Sequence, residues 1–371
     1  MKKYYRSLLA SATLAMMTTA CSDSSSSSST LTGQLMYSGL SNLTYKTATQ
    51  EGKLDDAGTF KYLEGETVSF SLGNLQLVED VPAREYISFL EFGVDERQDL
   101  DDGTVKDGVS THTEAEVTVS KHNFINNVSR FIYLMGDTVT SNSTGNAPIV
   151  ITDRTIEQIN EYLLTAETPI DFHVPISEFE AEGSPFNTLL KEVCFYPADF
   201  LECEVPPTQE EIDAKESKFG PNKELREDYD REQEYKEDLE AKRRIINSAV
   251  RTAAKKKTDQ TAVAVQLDAQ SIARDLGSQI YLTTYSGKYK EGDSAPRNIE
   301  IHSLKPNFTI TDMEVFSFNE RIAVIDGFDT AGKTVTFSPI GKLGEETTIV
   351  LNIKQQDDYR WYKKTFRVQI Q

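Results

Sequence analysis

Residues 278–371 contain seven short runs in which apolar and polar residues alternate. The runs are QIYLTTYSG, NIEIHSL, FTITDMEVFSF, RIAVIDGFD, KTVTFSPIG, TTIVLNIKQ and WYKKTFRVQIQ. A period of two places every second side chain on one face of a β-strand, and turn residues separate the runs at the interval typical of a sandwich. The pattern predicts a C-terminal β-sandwich over residues 266–371. We expect an immunoglobulin-like architecture without the buried tryptophan and disulfide of antibody domains.

A second β-rich stretch covers residues 31–78. Its runs TGQLMY, LTYKTAT, GTFKYLE and ETVSFSLGNLQL alternate in the same period and are separated by turn sequences. In DDAGTF, Asp55 and Asp56 can bond their own backbone and Gly58 accepts a positive φ, as a tight turn requires. The stretch predicts a small antiparallel β module.

Residues 79–205 read as a mixed helical and β segment with three candidate helices. FINNVSRFIYLM and ITDRTIEQINEYLL carry apolar residues at helical spacing, and the second begins with a Thr or Asp cap. SPFNTLLKEVCFY has Ser184 as a cap and Pro185 at the first helical position. These helices are expected to pack on the β module or on each other.

Residues 206–265 change character and predict one long charged helix that begins at Pro221. Acidic residues come early and basic residues late, including Lys255, Lys256 and Lys257, as the helix dipole favours. The supporting i,i+4 pairs are Glu227–Arg231, Glu232–Lys236, Asp238–Lys242 and Glu240–Arg244. At 1.5 Å per residue the helix would be roughly 50 Å long. The fold class is therefore mainly β with α segments.

The N-terminus has the features of an export signal. Lys2, Lys3 and Arg6 precede an apolar stretch at residues 8–20, which is too short to span a bilayer as a helix. Residues 1–20 are therefore predicted to be a signal peptide.

The ending Thr-Ala-Cys of this signal resembles the bacterial lipobox, which implies lipidation of Cys21 after cleavage. The alternative is an ordinary signal cut near Ala20 with an incidental cysteine. Lipoprotein sorting implies the outer membrane, because Ser22 and not an aspartate follows the cysteine. The serine-rich residues 21–30 are predicted to be a flexible tether.

Charge limits the partners that the chain can bind. With 59 acidic and 39 basic residues the net charge is -20, which repels nucleic acid and anionic lipid headgroups. We therefore expect no nucleic acid partner, and membrane attachment only through the N-terminal lipid.

Two cysteines remain after Cys21, and they flank the short segment CFYPADFLEC. Export delivers Cys194 and Cys203 to an oxidising compartment, so a disulfide between them is expected. A redox or metal pair is less favoured, because the spacing is not CxxC and no histidine lies nearby.

The sequence offers no concentrated set of catalytic groups, so no enzyme activity is expected. His112, His122, His173 and His302 are scattered, and HExxH, GxSxG and GxxxxGK[ST] do not occur. A hydrolase would need histidine and carboxylate groups from distant segments to meet.

An acidic segment, DERQDLDDGTVKDG, is the candidate metal site. Its carboxylates are Asp95, Asp99, Asp101, Asp102 and Asp107. Hard oxygen ligands suit Ca²⁺, but the spacing misses the EF-hand register. A solvated acidic loop is therefore the favoured interpretation, with Ca²⁺ binding as the alternative and no other cofactor expected.

The segment GLSNLTYKTATQEGKLDDAGTFKYLEGETVSFSLGNLQL resembles a module of bacterial surface lipoproteins, among them accessory colonisation factor D-type and pilus-assembly lipoproteins. The matching positions are Gly39, Leu43, Tyr45, Thr47, Thr49, Gly52, Asp56, Gly58, Phe60, Gly65, Glu66, Val68, Phe70 and Gly73. A weaker likeness continues over residues 126–152, where Met135, Gly136 and Asp137 depart from the family's Asp-rich turn. The resemblance implies export, a periplasmic or surface location and a transthyretin-like β module, but no activity.

These features lead to one main interpretation and one alternative. The main interpretation is a non-enzymatic outer-membrane lipoprotein that acts in surface adhesion or in assembly of a surface structure such as a pilus, facing the periplasm or the exterior. Its partner would be an unidentified protein or glycan. The alternative is a periplasmic lipoprotein that binds Ca²⁺ or another ligand such as a carbohydrate.

Overall fold

The computed structural model describes residues 29–106, 108–136, 148–196, 199–254 and 261–371, with the backbone alone in 249–254. Two hydrophobic cores organise these residues. The N-terminal core is built from side chains between Leu35 and Val193, together with Val265, Ala269 and Tyr359. The sandwich core is built from side chains between Ile272 and Ile370. The predicted signal peptide, Cys21 and most of the tether lie outside the described residues.

The β module predicted for residues 31–78 is present as short strands. They are β1 Leu31–Leu35, β2 Leu40–Ser41, β3 Thr44–Lys46, β4 Glu51–Lys53, β5 Thr59–Tyr62, β6 Thr67–Leu72, β7 Leu75–Pro82 and β8 Tyr86–Ile87. One sheet has the order β4-β3-β6-β7 and another the order β5-β1-β8, in which β1 pairs antiparallel with β5 and parallel with β8. Two small pairings follow along the chain, between β9 Val105–Lys106 and β10 Val109–Ser110, and between β2 and β11 Ile149–Val150.

Aromatic residues within the motif of residues 39–73 belong to the N-terminal core. The Phe60 ring lies 5.9 Å from that of Tyr45 and 5.7 Å from that of Phe70. Gly58 has φ +75°, and a Cβ there would lie 2.5 Å from the carbonyl oxygen of Leu35. The motif therefore combines a cluster of buried rings with a turn that only glycine fits.

Helices fill the middle of the chain. They are α1 Val94–Asp101, α2 His112–Val119, α3 Asn123–Met135, α4 Asp153–Thr165, α5 Ile176–Phe179, α6 Pro185–Glu192, α7 Gln209–Asp213, α8 Lys236–Ala254 and α9 Thr261–Ser278. Single 3-10 turns lie at Phe89–Phe92 and Leu201–Cys203.

The three helices predicted between residues 79 and 205 are confirmed as α3, α4 and α6. The Thr152 hydroxyl accepts a hydrogen bond from the Thr155 amide at 3.1 Å and caps α4. Ser184 caps α6 in the same way. Buried residues of all three helices belong to the N-terminal core. The β module and these helices therefore share one interior. Strand β7 also continues past position 78, the predicted end of the module.

The prediction of one long helix from Pro221 is wrong for residues 221–235, because the helix α8 begins only at Lys236. The preceding residues form turns, with an isolated bridge between Phe219 and Leu225. Pairs at i,i+4 contribute only about 0.2–0.5 kcal/mol each, and longer-range partners replace them here. Lys236, for example, pairs with Asp213 at 2.8 Å, and Lys218 with Asp238 at 2.8 Å. The basic end at Lys255–Lys257 lies outside the described residues.

Helix α9 was not anticipated, and it occupies the first part of the segment 266–371 that was predicted as sandwich. Its buried side chains divide between the two interiors. Val265 and Ala269 belong to the N-terminal core, whereas Ile272 and Leu276 belong to the sandwich core. Helix α9 therefore runs from one core into the other.

The predicted C-terminal β-sandwich is present as two four-stranded sheets that share the sandwich core. The strands are β12 Ile280–Leu282, β13 Ser286–Tyr289, β14 Arg297–Ser303, β15 Ile310–Ser317, β16 Ala323–Asp329, β17 Thr334–Pro339, β18 Glu346–Gln355 and β19 Trp361–Ile370. The sheet orders are β12-β14-β17-β16 and β13-β19-β18-β15. The first predicted run is split, since β12 joins one sheet and β13 crosses to pair parallel with β19 in the other.

Strand direction gives the sandwich two distinct ends. The β18–β19 turn, residues 356–360, lies at the end that faces α9. The loops 318–322 and 340–345 lie at the other end, because Ser317 pairs with Ile349 near the start of β18. The amides of Ile340 and Gly341 both donate to the carbonyl oxygen of Ile322, so these loops are joined. We call them the distal tip. With ten residues at about 3.3 Å each, β18 places this tip roughly 30 Å from the turn.

Candidate functional site at the junction of the two cores

The most unusual chemistry of the described chain lies where the two cores meet. The β18–β19 turn inserts Tyr359 and Arg360 between the N-terminal sheets and helices, although the turn connects two strands of the sandwich. Tyr359 is 1% exposed and is part of the N-terminal core, and Arg360 is 2% exposed. Asp357 has φ +59°, a left-handed conformation that reverses the chain before this pair. We call this region the junction.

Arg360 is surrounded by carboxylates from three segments. Its Nη2 lies 3.4 Å from Oε1 of Glu91, its Nε 3.5 Å from Oε1 of Glu116, and its Nη1 3.3 Å from Oδ1 of Asp358. The guanidinium also lies over the Tyr359 ring, 4.2 Å from its centroid. One buried cation thus faces three buried acids, a combination that is tolerated only when the groups remain together.

Hydrogen bonds hold each of these carboxylates in place. Glu91 accepts from the amide and the hydroxyl of Ser88 in a capping box at the 3-10 turn. Glu116 on α2 accepts from the Tyr359 hydroxyl at 2.8 Å. Asp358 accepts from the Arg360 amide at 3.0 Å and from the Tyr362 hydroxyl. Each carboxylate is therefore held in position by groups other than the Arg360 guanidinium.

Burial and charge act in opposite directions on two of these acids. Burial raises the pKa of Glu116, and the nearby positive charge of Arg360 only partly offsets it. Burial also opposes ionisation of Asp358, but the charge of Arg360 and several hydrogen bonds leave the pKa of that carboxyl below its usual value. Arg360 is thus matched mainly by the adjacent Asp358, and Glu116 takes up a proton more readily.

A further buried acid, Asp268 on α9, lies at the edge of the junction. Its Oδ1 accepts from the amides of Tyr37 at 2.8 Å and Ser38 at 3.3 Å, which ties α9 to the turn after β1. Its Oδ2 is buried and has no hydrogen-bond partner. Burial raises the pKa of Asp268 to about 7, despite the two amide donors.

Trp361, the only tryptophan of the chain, follows Arg360 and is also buried at the junction. Its indole N–H donates to the carbonyl oxygen of Gly103 at 3.1 Å, and its amide N lies 3.4 Å from Nδ1 of His112. Burial and the charge of Arg360 lower the pKa of His112 to about 4. A neutral His112 can therefore accept the Trp361 amide at physiological pH.

A second, more exposed set of contacts lies beside the buried one. The Tyr86 hydroxyl donates to Asp275 at 3.0 Å. Glu85 pairs with Lys305 at 2.6 Å and accepts from Gln279 at 3.2 Å. These contacts join the end of the β5-β1-β8 sheet to α9 and to the start of the sandwich. The two cores are therefore fixed against each other over a broad surface.

The remaining sequence-predicted site residues are dispersed. The segment expected to be an acidic loop is largely helix α1, which places Asp95, Asp99 and Asp101 on a helix and Asp102 at its C-terminal end. Within the described ranges, no three His, Cys, Asp or Glu side chains converge as a metal ion would require. Asp107 and Cys21 lie outside those ranges.

The expected disulfide between Cys194 and Cys203 is present, with the two Cα atoms 5.5 Å apart. The amide of Cys194 donates to Gln158 of α4 at 2.8 Å, so the closed loop is held against the sheets and helices around the N-terminal core, which we call the N-terminal unit.

The other histidines have separate neighbours. His122 lies 3.2 Å from Glu96, His173 stacks on Phe124 with ring centroids 4.6 Å apart, and His302 contacts the Thr283 hydroxyl at 2.7 Å. Glu91, Glu116, Asp268 and Arg360 carry no sequence motif and were not among the predicted site residues. The only sequence signal for Arg360 was the charged segment DDYRW between two strands in which apolar and polar residues alternate.

Among the helices of the described ranges, none combines the length and the apolar character that crossing a bilayer requires.

Comparisons with known proteins give partial structural likenesses only. No family model matches the chain, and no curated protein matches it. Domains 4 and 5 of the S-layer protein SbsC match at 15% identity and TM-score 0.19, over 24% of this chain and 50% of that one. The C. elegans MSP family member WR4 matches at 14% identity and TM-score 0.20, over 25% of this chain and 98% of that one. A chimeric titin Z1Z2 matches at 15% identity and TM-score 0.18, over 25% and 93%. The matched part of the chain thus covers half of the S-layer fragment.

Proposed function

We infer that the protein is a non-enzymatic lipoprotein, anchored to the outer membrane through Cys21, that acts in surface adhesion or in assembly of a surface structure. The anchor, the serine-rich tether and the motif of residues 39–73 motivate this proposal. The tether leads directly into β1, which starts at Leu31. In this arrangement, the N-terminal unit is next to the anchor and the sandwich is carried by the junction.

The distal tip is the observation that carries the proposal. Phe318 is 67% exposed, Leu343 68% and Ile340 46%, all on the joined loops of the tip. Scattered exposed apolar residues are common, but a group of three on hydrogen-bonded loops is typical of an interaction surface. The junction fixes the other end of the same sandwich, so a force on the tip would be transmitted to the N-terminal unit.

The finer fold assignments also belong to this proposal. We assign the sandwich to an immunoglobulin-like architecture, supported by its two four-stranded sheets and by the strand pair β12 and β13 that divides between them. We assign residues 31–78 to a transthyretin-like module, supported by the family motif.

The calcium-binding alternative is less well supported. Its acidic segment is helical, and a helix holds Asp95 and Asp99 one turn apart instead of wrapping their oxygens around an ion.

Two measurements test the anchor and its orientation. Metabolic labelling with palmitate should mark the full chain and should be lost in Cys21→Ala. Protease shaving of intact cells should release sandwich peptides, with a periplasmic protein as the protected control. Absence of label would remove the lipid anchor, and full protection of the sandwich would remove the adhesin version.

A matched pair of variants tests the tip. Leu343→Ser changes an exposed leucine of the distal tip, and Leu304→Ser changes a leucine that is 73% exposed at the junction end of the sandwich. Cell-surface attachment or assembly should fall in the first variant and remain in the second. An equal effect of both substitutions would argue against a role for the tip.

A further inference from the structure

A cleft of about 300 Å³ opens beside the junction. It lies between α1, the β7–β8 connection and the β18–β19 turn. Arg84 and Arg97 contribute to its lining, as do Val94, Leu100 and Tyr359. Both cationic and apolar groups are therefore available to a molecule of modest size, which is the usual composition of a small-ligand site.

Arg97 is half-buried without a carboxylate partner. Its Nη1 donates to the carbonyl oxygen of Asp80 at 2.7 Å, and its Nε donates to that of Gly93 at 3.2 Å. Both acceptors are backbone groups, so the guanidinium is held in position while its charge is not neutralised by direct contact. Burial and the neighbouring charge of Arg84 lower the pKa of Arg97, and the nearby carboxylates of Asp80, Glu91 and Asp101 only partly offset this effect.

Arg84 adds a second cation to the same cleft. Within the part of the chain that the structure describes, its side chain makes no hydrogen bond or ion pair. Two guanidinium groups of like charge thus share one small space, in a protein whose net charge is -20.

The acids near the cleft are already used or lie at its rim. Glu91 also lines the cleft, but its carboxylate is occupied by Ser88 and faces Arg360. Asp101 lies at the exposed end of α1. Among the described residues, neither of these carboxylates nor that of Asp80 makes an ion pair with Arg84 or Arg97. The positive pair therefore retains donors that can point into the cleft.

We propose that this cleft binds a small organic carboxylate. Arg84 and Arg97 hold the carboxylate group, since a planar guanidinium presents paired N–H donors that match its two oxygens. The aliphatic part of the ligand lies on Val94, Leu100 and the Tyr359 ring. This inference is independent of the proposed surface function, because it concerns a different face of the molecule.

Binding is measured on the full folded chain with three probes. Hexanoate carries the carboxylate and an aliphatic body, hexylamine carries the same body with the opposite charge, and inorganic phosphate carries an oxyanion alone. Saturation-transfer NMR detects ligand contact, and the emission of Trp361, two residues beyond Tyr359, reports on the cleft. We expect saturable binding of hexanoate and none of hexylamine. Phosphate should compete weakly, because it lacks the apolar contact.

The variants separate this site from nonspecific binding. Arg84→Gln removes one cation without breaking a hydrogen bond, and it should weaken hexanoate binding by at least about tenfold, or about 1.4 kcal/mol. Arg97→Gln should have a similar or larger effect, with a thermal melt to verify folding. Arg321→Gln, at the exposed distal tip, is the matched control and should bind as the wild type does.

Four results would overturn the proposal. The first is equal binding of hexanoate and hexylamine, which would indicate an apolar surface without charge selection. The second is an unchanged affinity for hexanoate in Arg84→Gln. The third is the absence of saturable binding of any of the three probes. Phosphate binding without hexanoate binding would also reject an organic carboxylate and leave only a simple anion site.

Discussion

Nη2 of Arg360 lies 3.4 Å from Oε1 of Glu91, although 269 positions separate the two residues in the chain. Each residue is nearly inaccessible to solvent, and each belongs to a different folded unit. The pair therefore links the folded structure of the sandwich to that of the N-terminal unit.

Replacing Arg360 by methionine should destabilise the protein strongly. The substitution keeps an apolar body of similar length but leaves Glu91, Glu116 and Asp358 buried without a counter-charge. Breaking a buried pair in this way costs about 3–5 kcal/mol. Urea unfolding, followed by the emission of Trp361, measures the loss.

Arg321→Met at the exposed distal tip is the control for this substitution and should change stability by less than about 0.5 kcal/mol. Adding Glu116→Gln to Arg360→Met should recover part of the stability, because it removes one of the stranded charges. If Arg360→Met were as mild as the control, the junction would not depend on its cation.

Stability should also fall as the pH rises toward neutrality, because of Asp268. Its folded pKa of about 7 is above its ordinary value, so the folded protein holds a proton that the unfolded chain has already lost. Asp268 therefore contributes full stability only below about pH 4, and this contribution declines by up to about 1.4 kcal/mol per unit until about pH 7. The charged or titratable groups that act on it include Glu91, Arg360 and Tyr133.

Asp268→Asn tests this dependence while keeping an oxygen for the amides of Tyr37 and Ser38. We expect greater stability than the wild type at pH 8 and a flatter slope between pH 4 and 7 in denaturant titrations. Glu320→Gln, which changes an exposed carboxylate of the distal tip, is the control. A slope that persists in Asp268→Asn would assign the proton to another group, with Glu116 the first to examine.

The disulfide is expected to stabilise the protein by closing a short loop. Cys194 and Cys203 are nine positions apart, for which chain entropy predicts about 2–3 kcal/mol. The double variant Cys194→Ser/Cys203→Ser should lower the free energy of unfolding by this amount. Both proteins should carry Cys21→Ser, so that the third thiol does not interfere.

Reduction of the disulfide-containing protein with dithiothreitol should reproduce the effect of the double variant. Equal stability of the oxidised and reduced forms would show that noncovalent contacts, such as those with Gln158, are sufficient to hold the loop.

The motif glycines allow a comparison of two kinds of cost. Gly58 and Gly65 both have positive φ, but a Cβ on Gly65 meets no atom within 4 Å. Gly65→Ala should cost about 1–2 kcal/mol from backbone conformation alone. Gly58→Ala should cost at least about 1 kcal/mol more, because the Leu35 carbonyl must move. Thermal unfolding of the two variants gives the difference, and equal melting temperatures would contradict it.

Local patterns predicted the parts of the fold that depend on neighbours in sequence. The alternation in residues 278–371 indicated the sandwich, and the caps at Thr152 and Ser184 marked the starts of two helices. In each case, the residues that give the signal and the strand or helix start that they predict lie within about ten positions of each other. The disulfide follows the same rule, with a compartment argument added.

Features that depend on distant partners could not be predicted in this way. Residues 221–235 have a helical charge pattern, but the i,i+4 pairs that would stabilise a helix there are weak. Ion pairs with the distant residues Lys218 and Asp213 form instead. The apolar residues of helix α9 pack into two different cores, so they do not form one continuous apolar face that the sequence pattern would reveal. Most of all, nothing in DDYRW specifies that its arginine meets Glu91 and Glu116.

The turn at Tyr359 and Arg360 also has a consequence for the order of events in the export that we propose. A chain that crosses a membrane from its N-terminus delivers Glu91 and Glu116 long before the cation that they face. Until the sandwich strands arrive, the two acids have no guanidinium partner and Tyr359 is missing from the N-terminal core. The first unit therefore completes its interior only when the second supplies it, so the finished junction reports that both units have been translocated and folded.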